Sequence, residues 1–166
     1  ADQLAGAKLV LVVDVGGGTT DLTLLKVLDK GDGTPDLERI AVGGHLLLGG
    51  DNMDAALAHH VLAKANRSNL DPTEWSALLQ SVRVAKEKLL GPDAPEELVV
   101  SLQKRGSRLF GGTQSISLTK TEVNELLVDG FIPKTGPSDV PEKNKRAGLT
   151  TLGLPYATDP AIPRHV

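Results

Sequence analysis

The chain has 166 residues and a mass of 17.4 kDa, enough for one ordinary core or two small subdomains. Its net charge of −3 and pI of about 5.8 give no electrostatic reason to expect nucleic acid or an anionic membrane as a partner. Aromatic residues make up only 2% and cysteine is absent, so we expect an aliphatic core without disulfides or thiolate metal sites. No segment resembles a signal peptide or a membrane span, and we expect a cytoplasmic protein.

The first 42 residues predict a three-stranded antiparallel meander. Residues 9–13 are an unbroken, β-branched-rich apolar run, which predicts a strand buried on both faces. Residues 22–28 follow after a glycine turn and pair back most simply in the antiparallel sense. A second turn over residues 29–35 leads to a third strand at residues 37–42.

The turn between the first two strands, residues 14–21, reads D-V-G-G-G-T-T-D. Gly16, Gly17 and Gly18 carry no Cβ, so their backbone N–H groups can approach an anion closely and form a nest for phosphate oxygens. Asp14 and Asp21 are hard oxygen ligands of the type that Mg²⁺ takes, directly or through water, and Thr19 adds a hydroxyl between them. The alternative interpretation is a glycine-rich hairpin with two solvated carboxylates.

A second glycine pair, Gly49 and Gly50, precedes Asp51, which stands in a good position to be the N-cap of a helix reaching about Lys64. Residues on one side of this helix are apolar and predict its buried face: Met53, Leu57 and Val61, with Ala56 and His60 beside them.

A second helix is predicted from Asp71, because a capping acid, Pro72 and Glu74 form a strong start signal, and it ends at the glycine and proline of residues 91–92. Its expected buried residues are Trp75, Leu78, Leu79, Val82 and Leu89. A neighbouring stripe with spacing i, i+3, i+4 and i+7 consists of Arg83, Lys86, Glu87 and Leu90. On pattern alone this stripe is a solvated, salt-bridged face.

Residues 97–102 predict a strand, and residues 107–118, interrupted by the glycines at 111–112, predict its partners. A capping box at residues 119–122 opens a third helix whose apolar residues are Val123, Leu126, Leu127 and Phe131. The remaining tail, residues 133–166, holds six of the ten prolines and has no run able to bury much surface or any terminating element. We therefore expect a partial core at residues 1–48, a smaller subdomain at residues 49–132 and an irregular tail.

Taken together, these motifs resemble the second lobe of the ATPase domain in the seventy-kilodalton heat-shock, or DnaK-type, chaperones. The residues that carry the resemblance are DVGGGTTDLTLL, LLLGGDNMDAALAHHV, SVRVAKEKLL and ISLTKTEVNELLVDGFI, within residues 8–134. The implied fold is α/β: an actin-like, ribonuclease-H-like lobe fragment with a small α+β subdomain. The phosphate motif is shared by the actin and sugar-kinase superfamily, whereas the LGGD turn and the AKEKL helix favour the chaperone branch, and we expect a bacterial protein.

The resemblance implies a role for each matching position. Gly16, Gly17, Gly18 and Thr19 would bind the β- and γ-phosphates of ATP or ADP. Asp14 would order the Mg²⁺ shell, through water, and the attacking water, while Asp21 would share that shell or act as a base. Gly49, Gly50 and Asp51 would form the hinge side of the cleft, and the helix face of Arg83, Lys86, Glu87 and Leu90 would meet ribose and adenine.

This chain departs from the family pattern on the nucleoside face. Arg83 replaces an acid on the ribose, Glu87 replaces a basic residue that stacks on adenine, and Leu90 replaces a serine near the base; Lys86 alone matches. A carboxylate cannot supply the planar cationic stack that arginine gives, so we expect a rearranged or weaker nucleoside contact in a divergent ATPase.

The family builds its nucleotide site between two lobes, and neither the first lobe nor the later adenosine-binding glycine turn is present in these 166 residues. We therefore expect a fragment that is inactive alone, from a parent that hydrolyses ATP and binds client proteins or co-chaperones. The alternative is a non-catalytic scaffold of the same fold that holds a protein partner through the Trp75 subdomain, and a sugar or acid kinase is a more distant third. An incomplete core should expose apolar surface, which predicts possible homodimers of the fragment.

Overall fold

The computed structural model describes residues 4, 6–29, 31, 35–103, 112–142 and 159–166, which form a mixed α/β protein. Strands β1 (Leu9–Val15), β2 (Thr20–Asp29) and β3 (Pro35–Val42) make one antiparallel sheet with β2 in the centre. The predicted meander is thus confirmed. Its ladder pairs Asp14 directly with Asp21, so the two acids of the glycine turn face each other across neighbouring strands.

Burial on both faces of β1 was predicted, and that prediction is wrong for this chain. Leu9 is 55% exposed and Leu11 is 43% exposed. None of the buried hydrophobic residues in the described part of the chain lies in β1, β2 or β3. An apolar run predicts a buried strand only where another layer covers it, and here the run remains open to solvent. The expected exposure of apolar surface is present, while self-association stays a prediction.

The core lies after β3 in the sequence, between α1 (Gly50–Lys64), α2 (Pro72–Leu89) and the two-stranded antiparallel sheet of β4 (Glu97–Gln103) and β5 (Thr113–Thr119). It is aliphatic, as the composition predicts, apart from one phenylalanine. The principal buried side chains are Leu48, Leu57, Val61, Leu78, Val82, Leu89, Val100, Leu118, Leu127 and Phe131. Of the predicted partners of β4, residues 107–111 lie outside the described part of the chain.

Local capping signals set the start of α2. Asp71 accepts hydrogen bonds from the N–H groups of Thr73 and Glu74, and the Glu74 carboxylate accepts from the Asp71 N–H, so the predicted capping box is confirmed. The helix ends at Leu89, as expected. Trp75 and Leu79 are only partly buried, because both border an open groove, and Ala85 is buried in addition to the predicted set.

The start of α1 differs from the prediction. Its N-cap is Gly49 rather than Asp51, and the side-chain oxygen of Asn52 accepts the Gly49 N–H at 2.9 Å. Asn52 and Asp54 are buried on this helix together with Leu57 and Val61, whereas Met53 is partly buried. The cap moves two residues upstream because the glycine pair itself turns the chain into the helix.

The third predicted helix begins at its capping box, where Thr119 accepts from the Glu122 N–H. It comprises α3 (Lys120–Val123), a π-helical segment at Asn124–Val128 and α4 (Asp129–Phe131).

The tail has more structure than predicted. A 3-10 turn at Ile162–His165 buries Ile162 in the core, and the buried Asp159 accepts hydrogen bonds from the N–H groups of Glu142 and Ala161. The expectation of a tail without a terminating element is therefore wrong.

Candidate functional site

The glycine turn between β1 and β2 forms a closed loop with exposed amides. The Gly16 N–H donates to the Thr19 carbonyl at 2.7 Å, which closes the turn. The N–H groups of Gly17, Gly18 and Thr19 donate to no other described residue, and Gly17 and Gly18 are exposed. Successive N–H groups without partners are available as donors to an anion. Three of the four predicted phosphate-binding residues therefore offer a backbone donor, and Gly16 uses its donor within the loop.

The second glycine pair lies directly behind this loop. The N–H groups of Gly50 and Asp51 donate to the carbonyls of Gly16 and Gly17 at 3.0 and 2.6 Å. A Cβ at Gly49 would lie 2.6 and 2.7 Å from those same two oxygens, so only glycine allows this approach. The first N–H groups of α1 are thus satisfied by loop carbonyls, which are turned towards the helix. The structure brings together two motifs that are some thirty residues apart in sequence.

Two carboxylates flank the loop, and one has a partner that the sequence did not suggest. Asp14 is exposed opposite Asp21, and Nδ1 of His45 contacts the Asp21 carboxylate. His45 follows β3, and the bridge between Thr20 and Leu46 returns the chain to β2 just there. No local signal could have shown this contact, because it depends on the path of the chain between β3 and the bridge at Leu46.

The donor set fits a hard cation bound through water. Asp14 and Asp21 supply carboxylate oxygens and Thr19 a hydroxyl, which are ligands that Mg²⁺ accepts, often with several retained waters. Among the described residues, no group of three or more His, Asp or Glu side chains is arranged to hold a metal by itself. A cation here would therefore need oxygens from a ligand or from water.

The predicted nucleoside stripe is divided by its contacts. Arg83 donates through Nε to Asp54 at 2.7 Å and through Nη2 to Asp51 at 2.6 Å, and Lys86 pairs with Asp54 at 2.6 Å. The Asp54 carboxylate is 2% exposed, so α2 neutralises a buried acid of α1 from two sides. The hydrogen bond to Asp54 raises the pKa of Arg83. The salt-bridged character expected from the pattern is confirmed for these two residues.

Glu87 and Leu90 lie at the other end of the stripe. Both are exposed, Leu90 to 40%, and none of the described contacts joins them to the glycine loop. Lys86, by contrast, also donates to the Gly50 carbonyl at 3.3 Å, directly behind the loop.

A groove that the sequence did not predict runs between α1 and α2. Its volume is about 710 Å³, and its lining includes Trp75, His59, Leu79 and, at one end, Asp51 and Arg83. The centroids of the His59 and Trp75 rings lie 5.0 Å apart, and the ring planes are inclined at 45°.

No helix in the part of the chain that the structure describes is both long and apolar enough to cross a bilayer.

The glycine loop of this mixed α/β chain presents free amides, a helix starts behind it and two acids lie beside it. These are features of an anion-binding protein. Comparison with known families makes the assignment specific. The sequence model described as Hsp70 protein matches residues 2–130, so the chain belongs to the Hsp70 family. The resemblance to DnaK-type chaperones is confirmed.

Several curated relatives are bacterial proteins described as chaperone protein HscA homologs. That of Burkholderia multivorans is 43% identical over 107 residues, covering 63% of this chain and 16% of the relative. That of Burkholderia lata is 37% identical over 130 residues, covering 76% of this chain and 19% of the relative. That of Pseudomonas putida is 38% identical over 86 residues, covering 51% of this chain and 13% of the relative. The matched segments thus span less than a fifth of the length of these proteins.

Proposed function

We propose that this chain is the phosphate-binding part of the second ATPase lobe of an HscA-like Hsp70 chaperone, with an actin-like core. The intact parent would bind ATP and ADP with Mg²⁺ and hydrolyse ATP. The observation that carries the proposal is the loop whose N–H groups at Gly17, Gly18 and Thr19 remain open while its carbonyls are held by α1. Phosphoryl transfer depends mainly on positioning and charge stabilisation, and such a loop supplies both.

Each flanking residue has a distinct role in this proposal. Asp14 and Asp21 would hold Mg²⁺ through water beside the loop, and the Thr19 hydroxyl would contact a phosphate oxygen. Bound Mg²⁺ would neutralise charge on the β- and γ-phosphates. His45 would fix the orientation of Asp21, because it already contacts that carboxylate.

The hinge side of the cleft would be Gly49, Gly50 and Asp51. Arg83, Lys86, Glu87 and Leu90 would face the nucleoside. Lys86 and Arg83 are engaged with Asp54 and Asp51, so the nucleoside contact would be weaker than one made by free cations. The sequence predicts a rearranged or weaker contact on a separate ground, because Glu87 cannot stack on adenine as an arginine can.

Catalysis would require the whole parent. The described part of the chain offers one glycine loop with two flanking acids, whereas two lobes must close on a nucleotide to exclude water and to surround its phosphates with positive charge. The fragment alone would therefore be inactive, and client proteins or co-chaperones would be partners of the cytoplasmic parent.

Replacement of Asp14 by Asn in the full-length parent tests the proposal. Steady-state ATP turnover should fall by orders of magnitude, on the order of 10²–10³-fold, because a charge needed near the phosphates is lost. Asp93→Asn, an exposed acid in the turn after α2, is the matched control and should retain turnover. Unchanged turnover in the Asp14 variant would refute the proposal.

The scaffold alternative predicts a different result. A parent of that kind would bind its protein partner equally with ATP, ADP or no nucleotide. The named relatives are described as chaperones, which lends that alternative no support.

A further inference from the structure

Asp51 places a negative charge beside the glycine loop. Its N–H donates to the Gly17 carbonyl at 2.6 Å. Its carboxylate oxygen Oδ2 lies 3.7 Å from the position that a Cβ of Gly18 would occupy and 4.0 Å from that of Gly17. The side chain is 61% exposed. An anion on the loop amides would therefore meet a carboxylate at close range, and like charges oppose each other.

Arg83 neutralises this carboxylate from a fixed position. Its Nη2 donates to Oδ1 of Asp51 at 2.6 Å, while its Nε donates to Oδ2 of Asp54 at 2.7 Å. Asp54 is buried and is held from its other oxygen by Lys86 at 2.6 Å. The guanidinium is thus anchored by a buried acid, and Asp51 is the exposed partner that it restrains. The two cations, Arg83 and Lys86, and the two carboxylates, Asp51 and Asp54, therefore have a net charge of zero directly behind the loop.

Arg83 itself does not reach the loop. The described hydrogen bonds of Arg83 go to Asp51 and Asp54, and none goes to residues 16–19. Any influence on a ligand bound at the loop amides must therefore pass through the charge and orientation of Asp51.

We propose that Arg83 is a positioning residue that tunes the phosphate affinity of the glycine loop by neutralising and restraining Asp51. This role rests on the proposed function, because it presumes that the loop binds phosphate. It differs from a direct contact to ribose or base, which would act on the nucleoside portion of the ligand.

The test is a double-mutant cycle on Arg83 and Asp51 in the full-length parent. Binding of inorganic pyrophosphate and of ADP is measured by calorimetric titration at low ionic strength, where electrostatic interactions are least screened. Pyrophosphate carries no nucleoside, so it reports the loop alone. Arg83→Gln should weaken pyrophosphate binding about tenfold, as expected for one uncompensated unit charge at this range. Asp51→Asn should leave pyrophosphate binding as tight as in the unmodified protein or tighter, because the carboxylate that Arg83 restrains is gone.

The double variant should bind pyrophosphate within about threefold of the Asp51→Asn variant, since Arg83 then has no Asp51 charge left to neutralise. Arg83→Lys should recover much of the lost affinity. Lys88→Gln removes an exposed positive charge from the same helix and is the control for net charge; its affinity should stay within twofold. The Asp51→Asn prediction does not depend on the Arg83 variants folding.

The outcomes separate the two proposals. If the unmodified parent binds neither ADP nor pyrophosphate, the proposed function is refuted, and the role of Arg83 with it. If it binds both and Arg83→Gln changes neither, the role of Arg83 alone is refuted. An equal loss for Arg83→Gln with and without Asp51→Asn, or a loss for ADP but not pyrophosphate, would show direct ligand contact and also overturn it.

Discussion

Replacement of Gly49 by alanine should damage both stability and phosphate binding through a single steric contact. The added Cβ would lie 2.6 Å from the Gly16 oxygen, 2.7 Å from the Gly17 oxygen and 2.9 Å from the Gly17 carbonyl carbon. These are backbone atoms, so no side chain can rotate away. The φ of Gly49 is −171°, an extended value that alanine adopts readily, and the cost is therefore steric rather than torsional.

The magnitude follows from what must move. Forcing one methyl group into a close-packed contact costs about 1–3 kcal/mol. Separation of the loop from α1 also weakens the hydrogen bonds from Gly50 and Asp51, each contributing roughly 1 kcal/mol. We expect a loss of about 2–4 kcal/mol in the free energy of unfolding, or a fall in Tm of roughly 4–16 °C for a chain of this size.

Chemical and thermal unfolding of the 166-residue chain would measure this loss, and pyrophosphate titration of the full-length parent would measure the effect on the loop. Gly44→Ala is a matched control, because a Cβ there meets nothing within 4 Å. The Gly44 variant should differ from the unmodified chain by less than about 0.5 kcal/mol. A Gly49 variant as stable as the Gly44 variant would refute the close approach of loop and helix.

Two further predictions concern stability. Burial by itself would raise the pKa of Glu122, but hydrogen bonds from Lys64 and Thr119 outweigh burial and lower this pKa from 4.5 to about 2. Because the folded pKa is the lower one, the stabilisation is present above about pH 4.5 and is lost as the pH falls towards 2. Urea unfolding should show that the unmodified chain loses about 2–3 kcal/mol more than Glu122→Gln over that range. Thr20→Val removes a buried hydroxyl that donates to the Leu48 carbonyl at 2.7 Å. Leaving that carbonyl oxygen unpaired should lower the free energy of unfolding by about 1–3 kcal/mol in the same assay. A change below about 0.5 kcal/mol would contradict the contact.

Features governed by neighbours in sequence were predictable. The meander follows from three apolar runs separated by turn residues, and its ladder places Asp14 opposite Asp21 as a short antiparallel turn requires. The helix starts at Asp71 and Thr119 follow from side chains that reach backbone N–H groups two or three residues away. These interactions need no other part of the chain.

Contacts between distant segments were not predictable from spacing. His45 reaches Asp21 only because the chain after β3 returns to β2. Arg83 and Lys86 meet acids of α1 only because the two helices pack side by side. Many other surface residues carry the same charges as these partners, so the sequence offers no basis for predicting which charged residues pair with each other.

The glycine loop, the order of elements and membership of the Hsp70 family could be predicted from the sequence alone, because they depend on local chemistry and on motifs in fixed order. The contact of Gly49 with the loop carbonyls, which leaves the amides of Gly17 and Gly18 open, depends instead on packing between segments distant in sequence. The same holds for burial: an apolar run predicts a strand, but β1 stays exposed because burial requires a second layer, which is a property of packing rather than of the run.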